Sequence, residues 1–353
     1  MWLATIPAHR NDSRVICRSH RDPWLRIGLG LKVLNASYKY LDRDTARVIE
    51  VSDLRKSYGE IKALDGITFE VKEGEAFAFL GPNGAGKSTT IKILMGFIRP
   101  DSGDVRIFGR DVGREGKLIR KKIGYIPEDL GFYESLSVQD NLDFYARLFG
   151  IPTLERKERI REVLEIVDLL DRKGSKVREL SRGMKQRLAI AQSLINDPDL
   201  LIYDEPTSGL DPRSSYEIRE LIKRLVKEGV TLFLSSHLLH DVEKVCEVAA
   251  IINKGRLIGK GRIEELSRGI RRDLIVKISC MNLTRKILDG IKGLDGVDLE
   301  EISGDTITLR ARDNDSVAEV VSLMVRNGGK VFKVEHLTPD LEEVFLKLVG
   351  DGS

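Results

Sequence analysis

The run Gly81-Pro82-Asn83-Gly84-Ala85-Gly86-Lys87-Ser88, followed by Thr89, has the spacing G-x-x-x-x-G-K-[ST] of a loop that wraps a phosphate chain. Its glycines let successive backbone N–H groups curl around phosphate oxygens. Lys87 is placed to reach the β and γ oxygens, and the Ser88 hydroxyl to ligate Mg2+. A helix opening at Lys87 would turn its positive end toward the same anion. Further along, Leu200-Leu-Ile-Tyr-Asp204-Glu205 closes an apolar run with two acids. On a strand, neighbouring side chains point to opposite sides, so the two acids are expected to take separate duties. Asp204 is placed to hold Mg2+ through its water shell, and Glu205 to polarise an attacking water as general base.

The elements that must position these residues are set by the patterning. Ala76–Leu80 is a short apolar run, as a buried parallel strand would be, and the segment from Lys87 (Ile91, Ile93, Leu94, Ile98) reads as a helix. Strand, Gly-rich loop and helix make half of a nucleotide-binding βα unit. Upstream, Ile49–Val51 and Ile67–Val71 alternate like strands about a turn at Gly59. Residues 129–197 are expected to be helical throughout. Leu142, Tyr145, Ala146 and Phe149 fall at i, i+3, i+4 and i+7, and Arg161–Leu170 and Met184–Ile195 repeat that spacing. Strands are expected again at Leu200–Tyr203, Thr231–Ser235 and Val248–Asn253, with a helix at Ser214–Glu228. The expected core, residues 48–266, is an α/β sheet interrupted by a helical lobe.

Residues 267–353 read as a separate α+β unit. The order strand, helix, strand, strand, helix, strand is ferredoxin-like, and Leu341, Val344, Phe345 and Leu348 suggest a closing amphipathic helix. No catalytic cluster is visible in it. Residues 1–47 carry nine Lys/Arg against four Asp and show no sustained period, so they are expected to be a disordered basic extension. Translation beginning near Val48, or a basic membrane-facing arm, are the alternatives.

The chain has 353 residues with 58 basic and 55 acidic side chains, a net charge of +3. That near balance argues against nucleic acid as a charge-held partner. Three cysteines (Cys17, Cys246, Cys280) supply neither a disulfide framework nor metal-ligand spacing, which fits a reducing cytoplasm. No apolar run approaches the length of about 18 residues needed to span a bilayer.

With Leu180-Ser-Arg-Gly-Met-Lys-Gln-Arg187, whose Ser181 lies 23 residues before Asp204, the sequence resembles the ATP-binding cassette (ABC) ATPases over Val48 to Ile258. The resemblance implies ATP and Mg2+ as ligands and a dimer of two copies closing on two ATP. Ser181 and Gly183 then lie where a helix N-terminus meets ATP held by the opposite subunit. Ser208-Gly-Leu-Asp211 resembles the loop that communicates across the dimer, Tyr58 the aromatic residue that stacks on adenine, and His237 the histidine that contacts the γ-phosphate. His240 and His336 match nothing in the family.

Three positions depart from the family pattern. Glu128 stands where most members have a metal-linked glutamine, Arg182 replaces the signature's first glycine, and Met184 its usual glutamine. Arg182 is expected either to add a cation near the phosphates or to point outward. The stretches Gly124-Tyr-Ile-Pro-Glu128, Leu130-Gly-Phe-Tyr133 and Leu337-Thr-Pro-Asp-Leu-Glu-Glu-Val-Phe345 resemble the separate ATPase subunits of type-2 exporters of drugs, antibiotics or ions. That implies a membrane permease as a distinct polypeptide, docked on the segment Asp129–Asn141, and a peripheral position on the inner face of the cell membrane. Two other readings are weighed against it. A soluble ABC protein of ribosomes or DNA would usually carry two cassettes or a coiled-coil insertion. A regulator without turnover would conflict with an intact Glu205 and His237.

Overall fold

The structure, a computed structural model, describes residues 47–269 and 274–337. The expected extension up to residue 46 and the closing helix at 341–348 lie outside the described residues.

Strands β1 (Arg47–Tyr58) and β2 (Ile61–Lys72) form a long hairpin whose turn holds Gly59 at φ 58°. The hairpin outruns its apolar alternation because polar residues such as Lys56 and Ser57 continue the ladder. β3 (Ala76–Leu80) leads through the glycine-rich loop into α1 (Lys87–Leu94). β4 (Ser102–Ile107) and β5 (Arg110–Asp111) complete a four-stranded antiparallel sheet in the order β2-β1-β4-β5. These two strands carry few apolar residues, so periodicity gives no sign of them.

After α2 (Val112–Arg120) come β6 (Ile123–Ile126) and the lobe helices α3 (Val138–Leu148), α4 (Thr153–Ile166) and α5 (Arg182–Leu194). Next in the chain are β7 (Leu200–Asp204), α6 (Pro212–Lys227), β8 (Thr231–Ser236), α7 (Leu239–Glu243), β9 (Val248–Asn253), β10 (Arg256–Arg262) and α8 (Ile263–Gly269). The second sheet runs β10-β9-β3-β8-β7-β6 and is parallel except for β10. A parallel strand must be covered on both faces, and β3, β7 and β8 are buried at every residue. Phe69 of β2 bridges the two sheets, its ring 5.7 Å from Phe77, 5.4 Å from Phe79 and 6.0 Å from Phe233. On β6, a Cβ at Gly124 would strike the Ser193 carbonyl, so α5 lies directly on that strand.

The expectation of unbroken helix across 129–197 is corrected. Residues 129–137 are not helical, and 167–181 hold only two short 3-10 turns, Leu170–Arg172 and Val177–Glu179. The two stretches bond to each other instead: Val177 N–H to Leu136 O at 3.0 Å, Arg178 N–H to Glu134 O at 3.1 Å, and Val138 N–H to Ser175 O at 3.0 Å. The fully buried Asn141 holds the first stretch, its Oδ1 accepting from Tyr133 N–H and its Nδ2 donating to Tyr133 O and Ser137 O. A polar side chain buried in this way is satisfied only by backbone that has left the helix.

Strands β11 (Leu274–Met281), β12 (Val297–Ser303), β13 (Thr306–Ala311) and β14 (Lys330–Leu337), with α9 (Arg285–Lys292) and α10 (Asn314–Arg326), realise the expected βαββαβ order. Their antiparallel sheet runs β12-β13-β11-β14 over its own core of Val276, Ile278, Ile287, Ile291, Leu309 and Val320. β12 is bulged between Leu299 and Glu301.

Candidate nucleotide-binding site

Three parallel strands finish level with one another. Leu80 of β3 pairs with Ser236 of β8, and Asp204 of β7 pairs with Ser235. The glycine-rich loop, Glu205 and His237 leave the ends of these strands and therefore gather at one sheet edge, where α/β folds bind ligands. Gly86 takes φ 115° to cap α1, and a Cβ there would lie 2.6 Å from the Ala63 carbonyl. A Cβ at Gly81 would strike the Ile252 carbonyl. Only glycine fits these two positions, and the loop is left as a cradle of backbone N–H groups.

Lys87 is 6% exposed. Its ammonium donates to the Gly81 carbonyl at 2.7 Å and stands 3.3 Å from Glu205 Oε1. Glu205 Oε2 lies 2.9 Å from His237 Nδ1 and also accepts from the His237 backbone N–H at 3.4 Å. Lysine, glutamate and histidine thus form one chain, and Glu205 Oε1 is buried with an ion-pair partner but no hydrogen-bond donor.

The expectation that Asp204 and Glu205 point to opposite sides is corrected. The strand ends at Asp204, and Glu205 adopts φ 51°, so strand alternation does not extend to it. Both carboxylates act on the loop's Lys87, but they keep different partners. Asp204 accepts from Ser235 Oγ and from Ser88. Burial pushes the Asp204 carboxyl up, against those two hydrogen bonds, and the Glu205 charge adds to the rise. Tyr125 on β6 senses the same acid: its hydroxyl is pushed up to about 12 by burial and by Asp204. Sequence reading missed Ser235, Tyr125 and Asn141, because what each one touches depends on strand register or loop path.

Ser181 caps α5, its Oγ accepting from Met184 N–H at 3.3 Å. Gly183 meets α6 so closely that a Cβ would lie 2.6 Å from Ser214 Oγ. Asp211 caps α6 by accepting from Ser214 N–H at 2.9 Å. Ser181, Gly183 and Asp211 therefore form a second group, and Ser181 shares no hydrogen bond or ion pair with Lys87, Asp204 or His237 among the described residues. Arg182 is exposed, and its guanidinium lies over Gly209 and donates to the Ser208 carbonyl at 3.0 Å. Tyr58 is half-exposed at the end of β1, with the Lys56 ammonium 5.7 Å from its ring. Glu128 lies just past β6, beside the strand that ends in Asp204, and makes no hydrogen bond or ion pair among the described residues.

The donor set suits a hard divalent cation bound with a polyphosphate: the Ser88 hydroxyl, the buried Asp204 carboxylate and Glu128 are all oxygen donors. No group of three or more His, Cys, Asp or Glu residues forms a metal cage among the described residues, so most ligands of such an ion would be phosphate and water.

Comparison with known proteins gives concordant matches. Residues 64–208 match the family described as ABC transporter. The chain is 39% identical to the bacitracin transport ATP-binding protein BcrA of Bacillus licheniformis, over 87% of this chain and 98% of that protein. It is 33% identical to the linearmycin resistance ATP-binding protein LnrL of Bacillus subtilis, over 86% of this chain and 98% of that one. Among solved structures, a dimeric ATP-binding cassette in a post-hydrolysis state with ADP and Pi matches with a TM-score of 0.56 at 28% identity, covering 61% of this chain and 98% of that chain.

Proposed function

Because the chain belongs to the ABC transporter family, as the ATP-hydrolysing subunit of an exporter, we propose that Lys87, Ser88, Asp204, Glu205 and His237 form half of a Mg2+-ATP site that a second copy completes. The observation that carries this reading is the chain Lys87–Glu205–His237 at the ends of three parallel strands. The family's dimeric cassettes support completion by a partner copy.

In this reading the loop from Gly81 to Thr89 offers backbone N–H groups to the phosphates, and Lys87 exchanges its loop carbonyl for the β and γ oxygens. Ser88, Asp204 through water, and Glu128 would hold Mg2+, which supplies neutralising charge at the leaving phosphate. Glu205 accepts the proton of the attacking water. Its second oxygen is fixed by His237 Nδ1, so the carboxylate is oriented and the ring is aimed at the same place. Tyr58 stacks on the adenine. Ser181 and Gly183 present the α5 N-terminus, with Asp211 beside them, to the nucleotide on the partner copy.

The motion of closing passes to a membrane permease through residues 129–141, which places the subunit on the inner face of the membrane. Tyr133 and Leu136, with Phe144 against the Tyr133 ring, leave exposed apolar surface there. No helix among the described residues is long and apolar enough to cross a membrane. Residues 267–353 are read as an accessory unit and residues 1–47 as an extension outside the cassette.

The test is ATP hydrolysis by the full chain, together with light scattering of the Glu205→Gln variant with and without ATP. Hydrolysis by the parent and an ATP-dependent dimer of the variant are expected. A Glu205→Gln variant that binds ATP but stays monomeric would overturn the shared site.

A further inference from the structure

We propose that Arg182 is a positioning residue, a latch that fastens the loop Ser208–Asp211 to the N-terminus of α5 within one subunit. Its guanidinium donates to Ser208 O at 3.0 Å and lies so close over Gly209 that a Cβ there would have to push the guanidinium aside. Gly209 also holds φ 66°, so the loop turns under the guanidinium at a residue suited to that conformation. The next residue of α5, Gly183, abuts Ser214, and Ser214 is bonded through both N–H and Oγ to Asp211. The loop is therefore gripped at both ends by consecutive residues of one helix start.

The grip reaches the catalytic base. Ser208 N–H donates to the Glu205 carbonyl at 3.1 Å, so the turn fastened by Arg182 begins at Glu205. Ser181, assigned to the partner's nucleotide in the proposed dimer, is covalently next to the latch. The inference rests on that assignment for its role in turnover, and on the geometry alone for the latch itself. Arg182 makes two elements that address the partner copy move as one piece, and ties their position to the residue that activates water. A glycine at 182 has no side chain to do this.

The experiment is a double-mutant cycle in the full chain with Arg182→Gly, Gly209→Ala and the pair, with Arg182→Lys as a control. Two readouts are taken: kcat and KM for ATP, and amide hydrogen exchange across residues 207–211. Arg182→Gly is expected to lower kcat about tenfold with KM nearly unchanged, because the nucleotide's own loop is untouched, and to speed exchange at 207–211. Arg182→Lys keeps the charge but loses the flat guanidinium, and should recover little. Gly209→Ala should cost about tenfold in the parent but much less once residue 182 is glycine, since the new Cβ then meets only its own backbone strain. Multiplicative losses, with exchange at 207–211 unchanged by Arg182→Gly, would overturn the latch. A parent without ATPase activity would instead defeat the functional reading, and the exchange data would still decide the latch.

Discussion

Lys87 Nζ and Glu205 Oε1 stand 3.3 Å apart, with side chains 6% and 5% exposed, so the phosphate-loop lysine and the candidate base are partners inside the fold. In the proposed site, a polyphosphate competes with that carboxylate for the same ammonium. Binding and activation of the base are thereby linked, since drawing Lys87 toward phosphate leaves Glu205 its histidine and the water. Glu205→Gln should bind ATP at least as well as the parent and hydrolyse it about 100-fold or more slowly. Nucleotide titration and a phosphate-release assay check this, and an unchanged rate would remove Glu205 from its role.

Lys87→Met should weaken ATP binding about tenfold or more and also lower Tm, because it strands a buried carboxylate. Adding Glu205→Gln to it should recover part of the lost Tm without recovering binding. A Tm that falls further in the double variant would show that the pair is not coupled.

Asp204 is held neutral more readily in the fold than in the unfolded chain, since burial raises its pKa. A raised folded pKa gives stability that is present at low pH and lost as pH rises through the folded value. At neutral pH the ionised Asp204 therefore costs stability. Asp204→Asn should raise Tm by about 2–4 °C while reducing Mg2+-dependent turnover. The Tm advantage should shrink as pH is lowered into the carboxylate range. An advantage independent of pH would show that ionisation is not its source.

Glu128 stands beside the strand that ends in Asp204, with no ion pair of its own among the described residues. Its charge attracts a divalent metal and repels a triphosphate. At an effective dielectric near 20, a unit charge about 4 Å away is worth about 4 kcal/mol, so neither effect is small. Glu128→Gln should tighten ATP binding at low Mg2+ and change it little when Mg2+ saturates. Equal shifts at every Mg2+ concentration would detach this residue from the metal.

Asn141→Ala removes three hydrogen bonds that shape residues 131–137 and leaves the Tyr133 N–H without its acceptor, while the Tyr133 carbonyl keeps the Leu136 N–H. A loss of about 1–3 kcal/mol is expected. Amide exchange should speed up across 131–137, and ATP binding by the isolated subunit should persist while stimulation by a permease falls. Equal loss of both would make Asn141 a general core residue.

The phosphate loop, the acids at the end of β7 and the cap at Ser181 were legible because each is a local pattern: fixed spacing, an apolar run, a capping residue. The βαββαβ order was legible for the same reason. What escaped was whatever depends on two distant segments meeting. β4 is set by pairing with β1, and the two-residue β5 by pairing with β4. Residues 129–137 are shaped by Asn141 and by pairing with 173–178. Asp204 and Glu205 share a site because one backbone angle of 51° interrupts the alternation. Arg182 could be read only as toward or away from phosphate, since nothing in the sequence says that Gly209 lies beneath it.

The bulge in β12 bears on how the open edge of the sheet β12-β13-β11-β14 behaves toward another extended chain. Among the described residues β12 has one strand neighbour, and it carries Asp298, Glu300 and Glu301. An open strand edge is a template on which another extended chain can add, and charge or an irregular ladder blunts it. Here both are present, with the bulge falling between Leu299 and Glu301 among the acids. Both features make this edge a poor template, so addition of another extended strand along this side of the sheet is disfavoured.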